Sequence, residues 1–204
     1  MIFSDTYRTI TSEAYGLFKD RGSRFIGIAV PVRTPEEIKH KLEELRKEYH
    51  DARHHCYAWV LAPDRQAWRA NDDGEPSGTA GKPILGQINS KELTNILIVV
   101  IRYFGGTLLG VSGLINAYRS AAEDAISNAH IVERTVMQVW LVSFGYLTMN
   151  DVMKVLKEEG CGQHSHTYGN DCSIEIHVRA SFEERVLERL RKISGLTTSW
   201  LRTE

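Results

Sequence analysis

An excess of basic charge is the first thing missing from these 204 residues. Against 25 Lys and Arg stand 26 Asp and Glu, a formal net charge of -1. The balance also holds locally, with 17 basic and 17 acidic residues up to Thr135 and 8 and 9 beyond it. That excludes a broadly basic nucleic-acid binder. With an ordinary share of apolar residues, it also excludes disorder throughout. Long apolar runs are missing too. The longest aliphatic run, Ile96 to Ile101, is six residues, where a membrane helix needs about 20. The opening Met1-Ile2-Phe3-Ser4-Asp5 lacks the basic and then apolar regions of a secretory signal. Cys56, Cys161 and Cys172 are odd in number and irregularly spaced, which is no disulfide framework. These absences lead to the expectation of a reduced, cytoplasmic protein without a membrane partner.

What is present reads as two α/β units, 1–134 and 135–204, joined by a short linker around His130–Thr135. In the second, Val136–Phe144 reads as a strand, and a helix capped by Asn150 or Thr148 runs to Glu159 and stops at Gly160. Two strands, 161–168 and 172–180, flank a hairpin signal at Gly169-Asn170-Asp171. Ser181 is expected to cap a second helix, with Glu184 in the capping-box position, and 196–201 is a last strand. The order βαββαβ is the ferredoxin-like layout, a fold that hosts many unrelated activities. In the first unit, 25–32 is strand-like and Thr34-Pro35 opens a helix carrying Ile38, Leu42, Leu45 and Tyr49. A hairpin is expected around Pro63-Asp64. The run at 96–101, apolar on both faces, reads as a fully buried strand, and 111–129 as a helix. The fold class expected is α+β.

Two segments carry the residues for chemistry. In Asn71–Pro83, the carboxylates of Asp72, Asp73 and Glu75 sit close to Ser77, Thr79 and Lys82 on a Gly- and Pro-punctuated loop. Ser77, Thr79, Lys82 and backbone amides at a helix expected near Thr79 suit an anion, and the carboxylates suit a cation. A phosphate-binding P-loop is excluded, because proline stands at 76 and 83 where glycine and Ser/Thr are required. In Arg102–Gly113 a glycine loop leaves the buried strand, but glycines at 105, 106, 110 and 113 break the dinucleotide spacing. No cofactor is expected. Arg102, abutting an apolar run, needs a partner: either a carboxylate of the 72–75 loop or a bound phosphate.

Other groupings are weaker. In His54-His55-Cys56 strand alternation lets only His54 and Cys56 share a face, so a catalytic or metal role is disfavoured against a hydrogen-bonded wall. Cys161, His164, His166 and Cys172 look like a zinc set until alternation turns Cys161 away from the two histidines.

The segments His54-His55-Cys56-Tyr57-Ala58, Asp72–Leu85 and Arg102-Tyr103-Phe104-Gly105-Gly106 through Leu109-Gly110, with Ser23-Arg24-Phe25 and Asp51-Ala52-Arg53, resemble the YigZ/IMPACT family. The resemblance covers about residues 16–128. Ser112 stands where the family often has glycine, and Asn116 where it often has a basic residue. The resemblance implies a first domain of the βαβ type found in domain IV of elongation factor G, and a small second domain like a C-terminal domain of that factor. It also implies a role around translation. The eukaryotic member regulates translation by competing for an activator of a stress-responsive initiation-factor kinase, through a domain outside the resembling region. The expectation is therefore a non-enzymatic regulator contacting RNA, the ribosome or a ribosome-associated protein, with no DNA specificity. The contact residues expected are His54, His55, Asp72, Asp73, Glu75, Ser77, Thr79, Lys82, Arg102, Gly105 and Gly106. The alternative is an enzyme for a phosphorylated or anionic small molecule, with Asp73 or Glu75 as acid, base or metal ligand and Arg102 and Lys82 orienting the anion.

Overall fold

The aliphatic run at 96–101 becomes the centre of the larger sheet. The computed structural model describes residues 5–169 and 171–204. The chain folds as two compact units, Tyr7–Arg134 and Thr135–Glu204, the latter including Asp5 and Thr6.

The elements up to Thr135 run β1 (Thr6–Ile10), β2 (Ala14–Asp20), β3 (Ser23–Pro31), α1 (Pro35–Glu48), β4 (His54–Leu61), β5 (Ala67–Asn71), α2 (Gly81–Ser90), β6 (Ile96–Tyr103), α3 (Gly110–Ser127) and β7 (Ile131–Thr135). Five strands form an antiparallel sheet in the order β2-β3-β6-β4-β5. Because β6 pairs with both β3 and β4, β3, α1 and β4 make a βαβ unit split by β6. Antiparallel sheets commonly leave one face wet, but here helices cover both. Ile96, Ile98 and Val100 of β6 pack with Ile84 of α2 and with Leu114 and Tyr118 of α3. Leu97, Val99 and Ile101 pack with Ile38 and Leu45 of α1. Each such side chain contributes about 1.5–3 kcal/mol by leaving water, so a strand apolar on both faces is stable only in this central place.

Local signals set the helices. Thr34 caps α1 by accepting from the Glu37 amide at 3.2 Å, and Pro35 occupies the first turn. α3 lies close on the sheet because Gly16 and Gly27, paired across β2 and β3, have no side chain. A Cβ at Gly27 would stand 2.3 Å from the Ala121 carbonyl oxygen, and one at Gly16 2.3 Å from the Ala125 amide nitrogen. The structure departs from the sequence reading at three places here. β1 and β2 were not expected. The stretch read as a linker is the strand β7, rich in β-branched residues and paired with β1. And α2 begins at Gly81, not Thr79, because its amides are capped from Asp72.

Beyond Thr135 come β8 (Met137–Gly145), α4 (Met149–Glu158), β9 (Gly162–Thr167), β10 (Asp171–Arg179), α5 (Glu183–Arg191) and β11 (Thr197–Thr203). They form an antiparallel sheet in the order β11-β8-β10-β9. Cys172, Ile174, Ile176 and Val178 of β10 point inward onto Val152 and Leu156 of α4 and Val186 and Leu190 of α5. Ser181 does not cap α5. A short 3-10 turn, Ala180–Phe182, intervenes, and the Ser181 hydroxyl serves the Asp5 carboxylate instead. Thr148 holds the cap position of α4, but its hydroxyl donates to the Gly145 carbonyl. Asn170 of the expected hairpin turn lies outside the described residues. The architecture is mixed α+β with antiparallel sheets. Among the described residues no helix is long and apolar enough to cross a membrane.

Candidate functional site

Arg102 is the next-to-last residue of β6 and stands on the same sheet face as Ile98 and Val100, turned toward α3. In register beside it is His54 of β4, and alternation puts Cys56 on that face as well. The loop from Asn71 to α2 closes over these three residues. Of the two partners expected for Arg102, the structure supplies the carboxylate. Arg102 Nη1 donates to Glu75 Oε1 at 2.5 Å, and the Tyr118 hydroxyl of α3 donates to the same oxygen at 2.8 Å. Arg102 is 7% exposed and Glu75 9%, so the pair is withdrawn from water. The guanidinium also lies against the rings of Phe25 and Phe104, at 5.5 and 5.7 Å. Its Nε is buried without a hydrogen-bond partner among the described residues.

The other two acids of the loop are also satisfied inside the chain. Asp72 accepts from the amides of Gly78, Ala80 and Gly81 at 2.8, 3.0 and 2.8 Å, which caps α2 from nine residues upstream. Burial pushes the Asp72 carboxyl up, but the amides of Gly78, Gly81 and Ala80 outweigh it and hold the group below its ordinary value. Asp73 accepts from the His55 amide at 2.7 Å and from Arg46 of α1 at 2.9 Å. His54 Nδ1 donates to the Asp73 carbonyl at 2.8 Å, which leaves Nε2 3.9 Å from Glu75 Oε1.

Cys56 donates to the Asp72 carbonyl at 3.0 Å, and burial pushes its thiol far up, so it is no thiolate nucleophile at neutral pH. Burial raises the Tyr118 hydroxyl as well, with Cys56 and Glu75 adding to it. His55 faces the other side of the sheet. Burial lowers its pKa against the pull of Asp73, and its Nε2 has no hydrogen-bond partner among the described residues.

The expected contact residues thus separate into three places. His54, Asp72, Asp73, Glu75 and Arg102 come together in one charge-compensated, largely buried knot, with His55 behind it. Thr79 is buried and donates to the Pro76 carbonyl at 2.6 Å, while Ser77 and Lys82 stay exposed, with no hydrogen bond or ion pair among the described residues. Gly105 and Gly106 lie apart, in the turn against the β2–β3 hairpin, where the Gly105 amide donates to Ser23 Oγ at 3.1 Å. Sequence reasoning missed Tyr118 and Arg46. Tyr118 was concealed as one position of an apolar helical stripe with Leu114, Ala121 and Ala125. Among the described residues no three His, Cys, Asp or Glu side chains converge as a metal site. The possible zinc set is divided, with Cys161 and Cys172 in the apolar cluster of the second unit and His164 and His166 exposed.

The family model for the Impact N-terminal domain matches residues 21–126. The chain is 34% identical over 156 residues to the IMPACT family member YvyE of Bacillus subtilis (strain 168), covering 76% of this chain and 72% of that one. It is 39% identical over 136 residues to the IMPACT family member YigZ of Escherichia coli (strain K12), covering 66% and 67%. With Protein IMPACT of Homo sapiens it shares 34% identity over 96 residues, 45% of this chain and 29% of that one. A crystal structure described as that of an hypothetical protein superposes with a TM-score of 0.73 at 29% identity, over 97% of this chain and 98% of that one.

Proposed function

Because this chain belongs to the IMPACT family, we propose that it is a non-enzymatic, cytoplasmic regulator of translation that contacts RNA, the ribosome or a ribosome-bound partner. One observation carries the reading. The groups of the 72–75 loop that an enzyme would need are taken up by other groups of the chain: Glu75 by Arg102 and Tyr118, Asp72 by three amides, Asp73 by Arg46. What the two loops present outward is Ser77, Lys82 and a glycine turn with Phe104, Leu108 and Val111 exposed. That is the makeup of a contact surface rather than of a reaction centre. In this reading 1–134 and 135–204 are separate domains, the first like domain IV of elongation factor G and the second ferredoxin-like. The element order β8-α4-β9-β10-α5-β11 supports the latter.

The test is co-sedimentation of the full chain with ribosomes across a salt series. Retention at about 50 mM salt and release at about 200 mM is the expected result, because phosphate contacts weaken as counterions compete. Lys82→Ser is expected to weaken retention. No retention at any salt refutes the proposal. A companion thermal-shift series with nucleotides, sugar phosphates and divalent cations is expected to stay flat. One small ligand raising Tm by about 5 °C or more would favour the enzyme reading instead.

A further inference from the structure

The near-neutral composition requires any RNA contact to be local, and the end of the large sheet that carries the buried knot supplies one on the sheet's other face. We infer that the tip of the β2–β3 hairpin, with Lys19, Arg21 and Arg24, is a docking strip for the phosphates of single-stranded RNA, and that Phe104 beside it is a stacking platform for a base. This rests on the reading that the chain contacts RNA, and it assigns the surface that does so.

Strand register builds the strip. Lys19 of β2 faces Arg24 of β3, and Arg24 faces Tyr103 of β6. The three therefore form a row across neighbouring strands, each step about 4.8 Å. With Asp20, Arg21 and Ser23 they line a shallow pocket of about 510 Å³. Lys19, Arg21 and Arg24 are exposed, and none has an ion-pair or hydrogen-bond partner among the described residues. This sets them apart from Arg46, Arg102, Arg179 and Arg189, which are held by carboxylates.

Three features hold the strip ready. The Arg24 guanidinium lies 4.6 Å from the centre of the Tyr103 ring, and the Tyr103 hydroxyl donates to Asp51 at 2.7 Å, which fixes that ring. The guanidinium is thus held over the ring, with no hydrogen-bond acceptor among the described residues, so its donors can meet phosphate. Arg21 sits in the two-residue turn at φ +44, a conformation in which Gly, Asn or Asp is favoured, so a cation is kept at the tip against backbone preference. Gly22 and Gly105 meet so closely that a Cβ on Gly105 would stand 1.9 Å from the Gly22 carbonyl carbon. That contact locks the hairpin to the turn carrying Phe104, which is 50% exposed. Phe104, like the Arg102 it lies against, is on the sheet face opposite the cation row. A strand reaching both must turn over the hairpin tip, which suits a flexible single strand with unstacked bases.

The experiment is fluorescence anisotropy of the full chain with a labelled oligouridylate of about 12 nucleotides, titrated at several salt concentrations. Three phosphate contacts predict a log–log salt slope of about -2 and a loss of about 20-fold between 50 and 200 mM salt. The variant Lys19→Ser/Arg21→Asn/Arg24→Ser, whose asparagine suits the turn, is expected to make the slope shallower by about 2. Phe104→Ala is expected to weaken binding by about 5- to 150-fold, the range for losing one stacked base, with the slope unchanged. The control Lys39→Ser/Lys47→Ser/Lys91→Ser removes the same charge from exposed positions elsewhere and is expected to behave as the unmodified chain. Circular dichroism checks the folding of each. Unchanged binding by the hairpin variant or by Phe104→Ala overturns the assignment, as does an equal loss in the control, while RNA contact itself still stands. No binding by the unmodified chain at about 50 mM salt overturns both the assignment and the reading beneath it.

Discussion

Removing Glu75 tests whether the buried knot organises the first unit. Glu75→Ala takes away the acceptor of Arg102 Nη1 and of the Tyr118 hydroxyl together. Arg102, 7% exposed, then keeps its charge with no carboxylate beside it, and its Nε already lacks a hydrogen-bond partner among the described residues. Breaking a buried pair by deleting one member costs about 3–5 kcal/mol, mostly for the stranded charge. For a unit of this size about 1 kcal/mol corresponds to roughly 3–6 °C, so its calorimetric transition is expected to fall by at least about 10 °C. The sharper measurement is a double-mutant cycle. Arg102→Met alone strands the Glu75 carboxylate and Glu75→Gln alone strands the Arg102 charge, and each single variant of the cycle is expected to cost a similar amount. Glu75→Gln/Arg102→Met removes both charges while leaving Tyr118 an acceptor, and is expected to recover most of the loss, with a coupling of about 2–3 kcal/mol. Urea unfolding of the four proteins supplies the numbers. A Glu75→Ala loss below about 1 kcal/mol, or losses that simply add in the double variant, would refute the reasoning. Either would mean that water or another group already compensates Arg102.

Other substitutions probe single contacts. Gly27→Ala would press a Cβ to 2.3 Å from the Ala121 carbonyl oxygen and is expected to destabilise by about 3 kcal/mol or more, whereas Gly86→Ala, inside α2 with nothing within 4 Å, is expected to stabilise by up to about 1 kcal/mol; equal effects in urea unfolding would count against the close approach of α3. Asp72→Asn is expected to lose about 1 kcal/mol of helix capping at neutral pH. Because the folded pKa of Asp72 lies below its ordinary 3.8, the stability it contributes is complete above that value and disappears as pH falls through the lowered one, so the variant's deficit should shrink in acid. For His55, burial lowers the folded pKa below 6.5, so the unfolded chain takes up the proton first and stability declines as pH drops under that value. His55→Gln is expected to flatten the stability profile between about pH 7 and pH 5. Cys56 should resist thiol reagents in the native protein at pH 8 and react only on unfolding; rapid native labelling would contradict its burial and its hydrogen bond to Asp72.

Parts of this structure were legible because one local rule decided them. A strand apolar at every position can only lie between two covered faces, and Thr34-Pro35 marks a helix start by its own chemistry. Period-two alternation was enough to put His54 and Cys56 on one face and His55 on the other. An arginine ending an apolar strand demanded an anion, and the acidic loop was the nearest source. Where the determinant lay far along the chain, local rules failed. β2 turns Ala14, Gly16 and Phe18 inward, and a glycine chosen for the approach of α3 adds no apolar signal. Asp72 caps a helix that starts nine residues later, beyond the span of any capping motif. Asp73 is held by Arg46, 27 residues upstream, and Glu75 by Tyr118, 43 residues downstream. Ser181 had the sequence of a cap but serves Asp5 from the opposite end of the chain.

A formal charge near zero is compatible with a locally positive surface because it counts paired and unpaired charges alike. In the first unit the acids of the 72–75 loop point into the protein and end on Arg102, Arg46 and amides, so their field is cancelled within a few ångströms. Lys19, Arg21, Arg24 and Lys82 are exposed and form no ion pair or hydrogen bond among the described residues, although Lys82 lies in the field of Asp72 and Arg24 in that of Asp51. The potential they create decays over about 8 Å at physiological ionic strength, and the remaining charges leave no net field beyond it. An anionic partner would therefore be held at contact but not drawn from a distance. Salt should then act chiefly on the dissociation rate. The association rate should stay near the unsteered 10⁵–10⁶ M⁻¹s⁻¹ that is usual without long-range attraction, a division that stopped-flow measurement resolves directly.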